Sequence, residues 1–464
     1  MKKFFSVFIL LLFLFPITKI YSLSLEEKNF YNKQYDKAIK EMRKLVKKSK
    51  KKDKLLYLMN TGIIFHTKGD YEKSNLVFKE AEVLADKINI SISKQALSFF
   101  LSDRNANFRG ENFERVLIKF YIALNYLNLN QPEMAKKYFK KLNFDLKNMK
   151  FADSTYKQNF VARYLDAIVS ENLGQYNDAR VEYKNIEMLS TNKNKILPDR
   201  YILAYKENDI NDMNKYSSAK KNILAFDENM HPITYSSNLG ELVIIYEAGR
   251  GPKKISRGKL MDDKTFALSL RAAIDVALNT RGAALATTAV IAMLGTAENP
   301  IPLYKKQEPY KSLPITISLN NTSVGKTKIF NDYSETAIHN FNDHYPEYIS
   351  KNVTSIATKI VLAAIAANEL SKKAESLSGN NPLVSGLGRV VIGAGAGKTV
   401  ATTIKPDLRC WNLLPSNFQI MRIFLKPGEY SFNVHLSKKI STSSYPETIE
   451  IKKGKVKFIN FRSF

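Results

Sequence analysis

Cysteine is almost absent from this 464-residue chain: Cys410 is the only one. That excludes an intramolecular disulfide, so stability must come from packing. Histidine is scarce too, with five copies, His66, His231, His339, His344 and His435. His339, Asp343 and His344 are the one local cluster, and a spacing of five does not put both imidazoles on one helix face. His66, beside Phe65, reads as a surface or groove residue. No GxSxG elbow, HExxH pair or Cys nucleophile context occurs. A P-loop is missing as well: counting back from Gly397-Lys398-Thr399, its first glycine would stand at 392, which is Ile392. The Gly393/Gly397 pair instead has small-xxx-small spacing, which permits close helix contact. No catalytic residue, metal ligand or cofactor emerges, and the chain reads as non-enzymatic.

Long apolar runs are short of a membrane span. Phe4 to Phe15 is apolar apart from Ser6, but a spanning helix needs about 20 residues. With Lys2 and Lys3 before it, Pro16 after it, and Ser22 and Ser24 following, residues 1–24 have the layout of a secretory signal peptide. Export to the periplasm or outer-membrane region is expected, with an uncleaved inner-membrane anchor as the alternative. No cysteine follows the run, so a lipobox is lacking.

What the chain does have is positive charge and apolar content. Its formal net charge is +27, or +24 without Lys2, Lys3 and Lys19. Such a surface favours anionic envelope components, lipid head groups or wall polymers. The lysines are spread along the chain and no nucleic-acid motif appears, so no specific nucleic acid is expected. Apolar residues make up 44%, enough for sizeable cores.

The N-terminal half repeats itself. A small residue is followed twelve positions later by another, and four further by an aromatic: Gly62, Ser74 and Phe78; Ala123, Ala135 and Phe139; Ala167, Ala179 and Tyr183. Phe65, Tyr71, Ala81, Tyr126 and Tyr176 flank these, and Tyr35, Ala38 and Met42 form a partial first copy. This resembles the tetratricopeptide pattern, in which a small residue lets the second helix approach and its aromatic fills the gap. Residues 25–225 therefore read as a helical repeat domain whose concave surface binds a protein partner.

After about residue 225 the chemistry changes. Leu242 to Tyr246 reads as a buried strand, and Ile301 to Leu303 and Ile315 to Leu319 as further strands. Phe266 to Ala297 is Ala-rich, and its Ala283 to Leu294 core is about half a membrane span. Tyr333 to Ala374 reads as helical with a bend at Pro346. Residues 226–405 are thus a mixed α+β domain with Ala/Gly-rich helices. Residues 406–464 read as β structure: strands Phe418 to Phe424 and Ser431 to Leu436 about a Pro427-Gly428 turn, then a hairpin of Thr448 to Lys452 and Lys455 to Phe461 around Lys453-Gly454. This is similar to small β-sandwich modules of envelope proteins with a PGEY-type turn.

Three groups of residues go together: Glu114 and Arg115 in ERVL with the YIALNYL helix; Gly240, Glu241, Gly249 and Pro252 in GELVIIYEAGRGPKK; and Asp407, Arg409, Trp411 and Pro415, leading to Arg422, Pro427 and Gly428. In this combination and order the chain resembles an uncharacterised family of bacterial exported proteins and lipoproteins with N-terminal tetratricopeptide-like helices. The missing lipobox and the lysine content depart from that pattern. The resemblance implies location and architecture, not an activity. Asp407 and Arg409 are expected to pair as a bracket, Trp411 to anchor a core, and Cys410 to be a buried thiol. The fold expected is a tetratricopeptide-like α-solenoid, a central α/β region and a small C-terminal β-sandwich. The function expected is a protein-binding scaffold or assembly factor. A membrane-associated oligomer formed through the Ala/Gly-rich segments, and an activator of a cell-wall enzyme, are the alternatives.

Overall fold

The structure, a computed structural model, describes residues 23–49, 52–94, 106–148, 159–190, 193–278, 292, 294–377, 382–436 and 440–464. Most of the leader expected at 1–24, and residues 283–291 of the Ala-rich core, lie outside them.

Helices α1 (Leu25–Tyr31), α2 (Tyr35–Lys48), α3 (Lys54–Lys68), α4 (Tyr71–Lys94), α5 (Asn112–Asn128), α6 (Pro132–Asn148), α7 (Phe160–Asn172), α8 (Tyr176–Leu189) and α9 (Leu197–Glu207) pack in sequence order, and the short α10 (Ile210–Lys215) follows. Three tight connections are built alike. Gly69 after α3, Asn130 after α5 and Gly174 after α7 all take positive φ, at 90°, 56° and 71°. That conformation suits glycine and asparagine, which explains those residues there. The small residues do what their spacing implies. A Cβ on Gly62 would stand 2.5 Å from the Phe78 ring, and the Ser74 hydroxyl donates to the Gly62 carbonyl at 2.8 Å. Ala123, Ala135, Phe139, Ala167, Ala179 and Tyr183 are all fully buried.

A five-stranded mixed sheet lies on this array. It consists of β1 (Ala225–Phe226), β2 (Gly240–Ala248), β7 (Lys328–Asp332), β8 (Asn417–Leu425) and β11 (Val456–Arg462). β2 runs antiparallel to β8 and parallel to β11. Every residue of β2 and β8 is buried, because both faces are covered. Val243, Ile245, Phe418 and Ile420 enter the helical core. Leu242, Ile244, Tyr246, Met421 and Ile423 face the other way. There they share a core with a four-stranded sheet, in the order β10 (Thr448–Ile451), β9 (Gly428–His435), β5 (Thr316–Leu319) and β6 (Thr322–Lys326). A strand buried on both faces reads as a continuous apolar run rather than an alternation, as Leu242 to Tyr246 does.

Three expectations change. Thr448 to Phe461 is not a hairpin: β10 pairs with β9 in one sheet and β11 with β2 in the other. The turn at Gly454 (φ 63°) carries the chain between sheets. That crossing runs against Gly240, where a Cβ would meet the Lys452 carbonyl oxygen at 2.5 Å. Residues 406–464 are accordingly no separate module, since in both sheets their strands pair with strands from 225–332. Finally, the inner helices α3, α5 and α7 do not leave a face open for a partner, because the five-stranded sheet occupies it. Phe120 meets Phe418 edge-on at 4.9 Å, and Tyr164 stacks on Phe330 at 4.3 Å.

A separate layer is built from α11 (Lys264–Leu278), α12 (Tyr333–Asp343), α13 (Tyr345–Leu377) and α14 (Pro382–Thr403), with a two-stranded ribbon of β3 (Lys253–Ile255) and β4 (Leu303–Lys305) beside it. The bend expected at Pro346 falls instead at His344. Pro346 sits in the first turn of α13, where its missing N–H breaks no helical bond. The strand expected at Ile301 to Leu303 is shifted to Leu303–Lys305.

Candidate functional site

The motif residues converge on two junctions between helices and sheet. At the first, Glu114 opens α5 and accepts the backbone N–H of Trp411 at 2.7 Å and of Glu111 at 2.8 Å. Trp411 packs against both Phe78 and Tyr121, which stack on one another. Arg409 donates to both oxygens of Asp407 at 2.8 and 2.7 Å, and reaches Asp53 at 2.7 Å. The expected bracket is therefore present, and it also ties the 406–415 segment to the start of α3. Arg115 donates to Asn112 at 2.8 Å. Gly249 takes φ 63°, and at Gly251, just before Pro252, a Cβ would press on the Leu414 carbonyl oxygen at 2.9 Å. Pro415 follows directly.

Burial dominates the electrostatics here. It pushes the Glu114 carboxyl up to about 7, against the pull of Lys254. It pushes the Cys410 thiol up to about 12, with Glu114 adding to the shift. A thiol so shifted carries almost no thiolate and is a poor nucleophile. Asp407 is held below the usual carboxylate range by Arg409, despite its burial.

At the second junction, Arg422 on β8 points into the helices and is buried. Its guanidinium donates to Glu171 of α7 at 2.9 Å, Asp199 of α9 at 2.8 Å, Glu241 of β2 at 2.8 Å and the Tyr183 hydroxyl at 3.0 Å. Lys206 adds a second cation on Glu171 at 2.7 Å. Glu171 is thereby held down at about 2, although burial alone would raise it. Pro427 and Gly428 form the turn from β8 into β9, which the Tyr430 hydroxyl closes on the Lys426 carbonyl at 2.7 Å.

His66 is not at the surface. It is 2% exposed, and its ring faces Asn125 at 2.5 Å and Glu247 at 2.8 Å. Tyr121 donates to the other Glu247 oxygen at 2.8 Å. The sequence held a signal for this third cluster: Tyr121 and Asn125 sit in the YIALNYL helix, and Glu247 interrupts an apolar strand. His339 and His344 have separate partners, Glu335 at 3.2 Å and the Asn340 carbonyl at 2.8 Å.

Glu114, Arg422 and His66, at the centres of the three clusters, are buried. Two surfaces face outward. In the helical layer Leu268, Val276, Leu362 and Leu370 are 67%, 75%, 58% and 57% exposed. Residues Tyr345–Leu370 are long and apolar enough to cross a membrane by length and composition, yet 33% of the apolar window is buried within the fold. A Cβ on Gly395 of α14 would meet nothing within 4 Å. On the outer side of the repeats, Lys136, Lys137, Lys140, Lys141 and Phe144 line a groove of about 790 Å³, and Phe144 is 67% exposed.

No family model and no curated protein matches the chain. A solved structure, BtubC (BKLC) from P. vanneervenii, is similar at 12% identity and a TM-score of 0.29, covering 47% of this chain and 79% of that one. The geometry alone carries the functional reading.

Proposed function

We propose that the chain is an exported, non-catalytic envelope protein that docks on a membrane through its α11/α13/α14 layer. In this reading residues 1–24 are the export signal, the helix pairs are a tetratricopeptide-like solenoid, and the two sheets are a β-sandwich shared by residues 225–462. Solenoid and sandwich form a scaffold that holds the layer out. One observation carries the proposal: among the described residues, five of the seven large aliphatic side chains exposed in the C-terminal half, Leu268, Val276, Leu362, Leu370 and Val391, lie on α11, α13 and α14. The occupant is a bilayer with anionic lipids rather than a second copy. Without residues 1–24 the net charge is +24, which repels other copies and is drawn to anionic head groups. Flotation of residues 25–464 with phosphatidylglycerol vesicles tests it. Co-flotation that fails with phosphatidylcholine alone is expected. A protein that stays in the aqueous fraction with both overturns the reading.

A second reading keeps a protein partner but moves it to the outer groove. Five lysines and four carboxylates, Glu82, Asp86, Glu133 and Asp145, line it around the exposed Phe144, which suits a segment with an apolar anchor and charges of both signs. Phe144→Ala would then lose that partner in an envelope pull-down while vesicle binding is unchanged.

A further inference from the structure

Arg462, near the end of β11, is 1% exposed, and none of its three guanidinium nitrogens has a hydrogen-bond acceptor among the described residues. The rings of Phe30 and Phe464 lie 5.2 and 5.7 Å from the guanidinium carbon. Its nearest anion is Glu247, 4.0 Å away, beyond hydrogen-bond reach. Glu247 is held in place by other partners, one oxygen by His66 and the other by Tyr121. The side-chain nitrogen of Asn460, on the same strand, is likewise buried without an acceptor. Leaving a buried guanidinium unsatisfied costs several kcal/mol by general experience, so such a group calls for an acceptor.

Arg462, Asn460, His66 and Glu247 all border a solvent-connected cavity of about 330 Å³, between the end of α3 and the 443–446 loop. Tyr445 and Phe458 add apolar wall, and the exposed Lys457 stands at the rim. The unfilled groups are the Arg462 and Asn460 donors and the Thr67 hydroxyl, which can also donate, and the planar fork of arginine matches a carboxylate with two oxygens in one plane. We propose that this cavity binds the carboxylate of a small acid or of a peptide end, held by Arg462 and Asn460, with the rest of the ligand against Tyr445 and Phe458. The site is independent of membrane docking.

The test is thermal unfolding of the full chain at constant ionic strength, with sodium benzoate against benzamide and N-acetyl-Ala-Ala against its amide. Each acid is expected to raise the midpoint with concentration while its neutral amide does not, and the stronger of the two acids identifies the source. Arg462→Gln should weaken the acid effect at least tenfold. Ser444 is exposed on the rim, so Ser444→Trp fills the mouth without touching the guanidinium. It should abolish the effect, and it decides the matter if the arginine variant does not fold. Equal shifts for acid and amide, or acid shifts unchanged in Ser444→Trp, overturn the proposal.

Discussion

The helix–sheet junction and the α11/α13/α14 layer are both apolar, but they resolve their surfaces in opposite ways. In the junction every face finds a cover. The inner helices are buried over most of their surface, β2 and β8 bury both faces, and the carboxylates of Glu171, Asp199 and Glu241 are met by one arginine. In the layer the helices pack on one another through a core that includes Phe266, Leu270, Ile274, Val353, Ile356 and Ile360, and leave other leucines and valines outside. The contrast assigns stability to the first region and contact with the surroundings to the second. Substitutions in the junction should therefore unfold the protein, and substitutions in the layer should change what it touches.

The largest effect is expected at Arg422. Arg422→Met keeps the bulk but strands Glu171, Asp199 and Glu241 in a buried site, and removing one partner of such a network costs about 3–5 kcal/mol. Urea unfolding should show it. A loss under about 1 kcal/mol would mean that the junction is not held by charge. Replacing all four groups with apolar residues should restore most of the stability, because the desolvation cost disappears with the charges.

Next comes Glu114, whose folded carboxyl lies near 7 against 4.5 for the ordinary group, because it is buried. Between those values the folded state holds a proton that the unfolded chain has released. Stability therefore falls as pH rises from about 4.5 to about 7, by up to about 3 kcal/mol. Glu114→Gln should flatten that part of the profile. An unchanged slope would place the titrating group elsewhere, with Asp166, also pushed up to about 7 by burial, the first candidate.

Much of the junction was legible in the sequence, and the reasons are local. The Gly62–Ser74–Phe78 spacing encodes a close approach inside one helix pair, so it can be read from one stretch of chain. Asp407 and Arg409 are two residues apart, and their pairing is likewise local. What could not be read was set by distant partners. Nothing near His66 announces Glu247 or Asn460, and nothing near Arg422 announces Glu171. The hairpin at Lys453-Gly454 misled for a related reason. Its turn chemistry is sound, but Gly240 gives the chain a passage into the other sheet that a local pattern does not contain. The open concave face failed likewise, since a sheet formed far downstream fills it.

Gly62→Ala sharpens the comparison within the junction. The new methyl would sit 2.5 Å from the Phe78 ring, and Phe78 is itself wedged against Tyr121 and Trp411. With no room to yield, overpacking should cost about 1–3 kcal/mol. Gly395→Ala in the layer makes the same change where a Cβ meets no neighbour, and should stabilise α14 by a few tenths to about 1 kcal/mol through helix propensity. Opposite signs in paired thermal unfolding experiments bear out the division. Equal signs break it.

The smallest effect on stability, and the one that speaks most directly to function, belongs to the outward leucines and valines. Leu362 and Val276 are mostly solvent-facing, so Leu362→Ser with Val276→Ser should shift unfolding by no more than about 0.5 kcal/mol per site. If those side chains enter a bilayer, each loses about 1.5–3 kcal/mol of transfer free energy when replaced by serine. Vesicle affinity should then drop at least tenfold for either site alone. A double variant that unfolds like the parent and still floats with phosphatidylglycerol vesicles would leave the layer without its assigned role. One that unfolds early would show that these residues contribute to the fold itself, through contacts in their own chain or helix propensity, and would remove the division between the two regions.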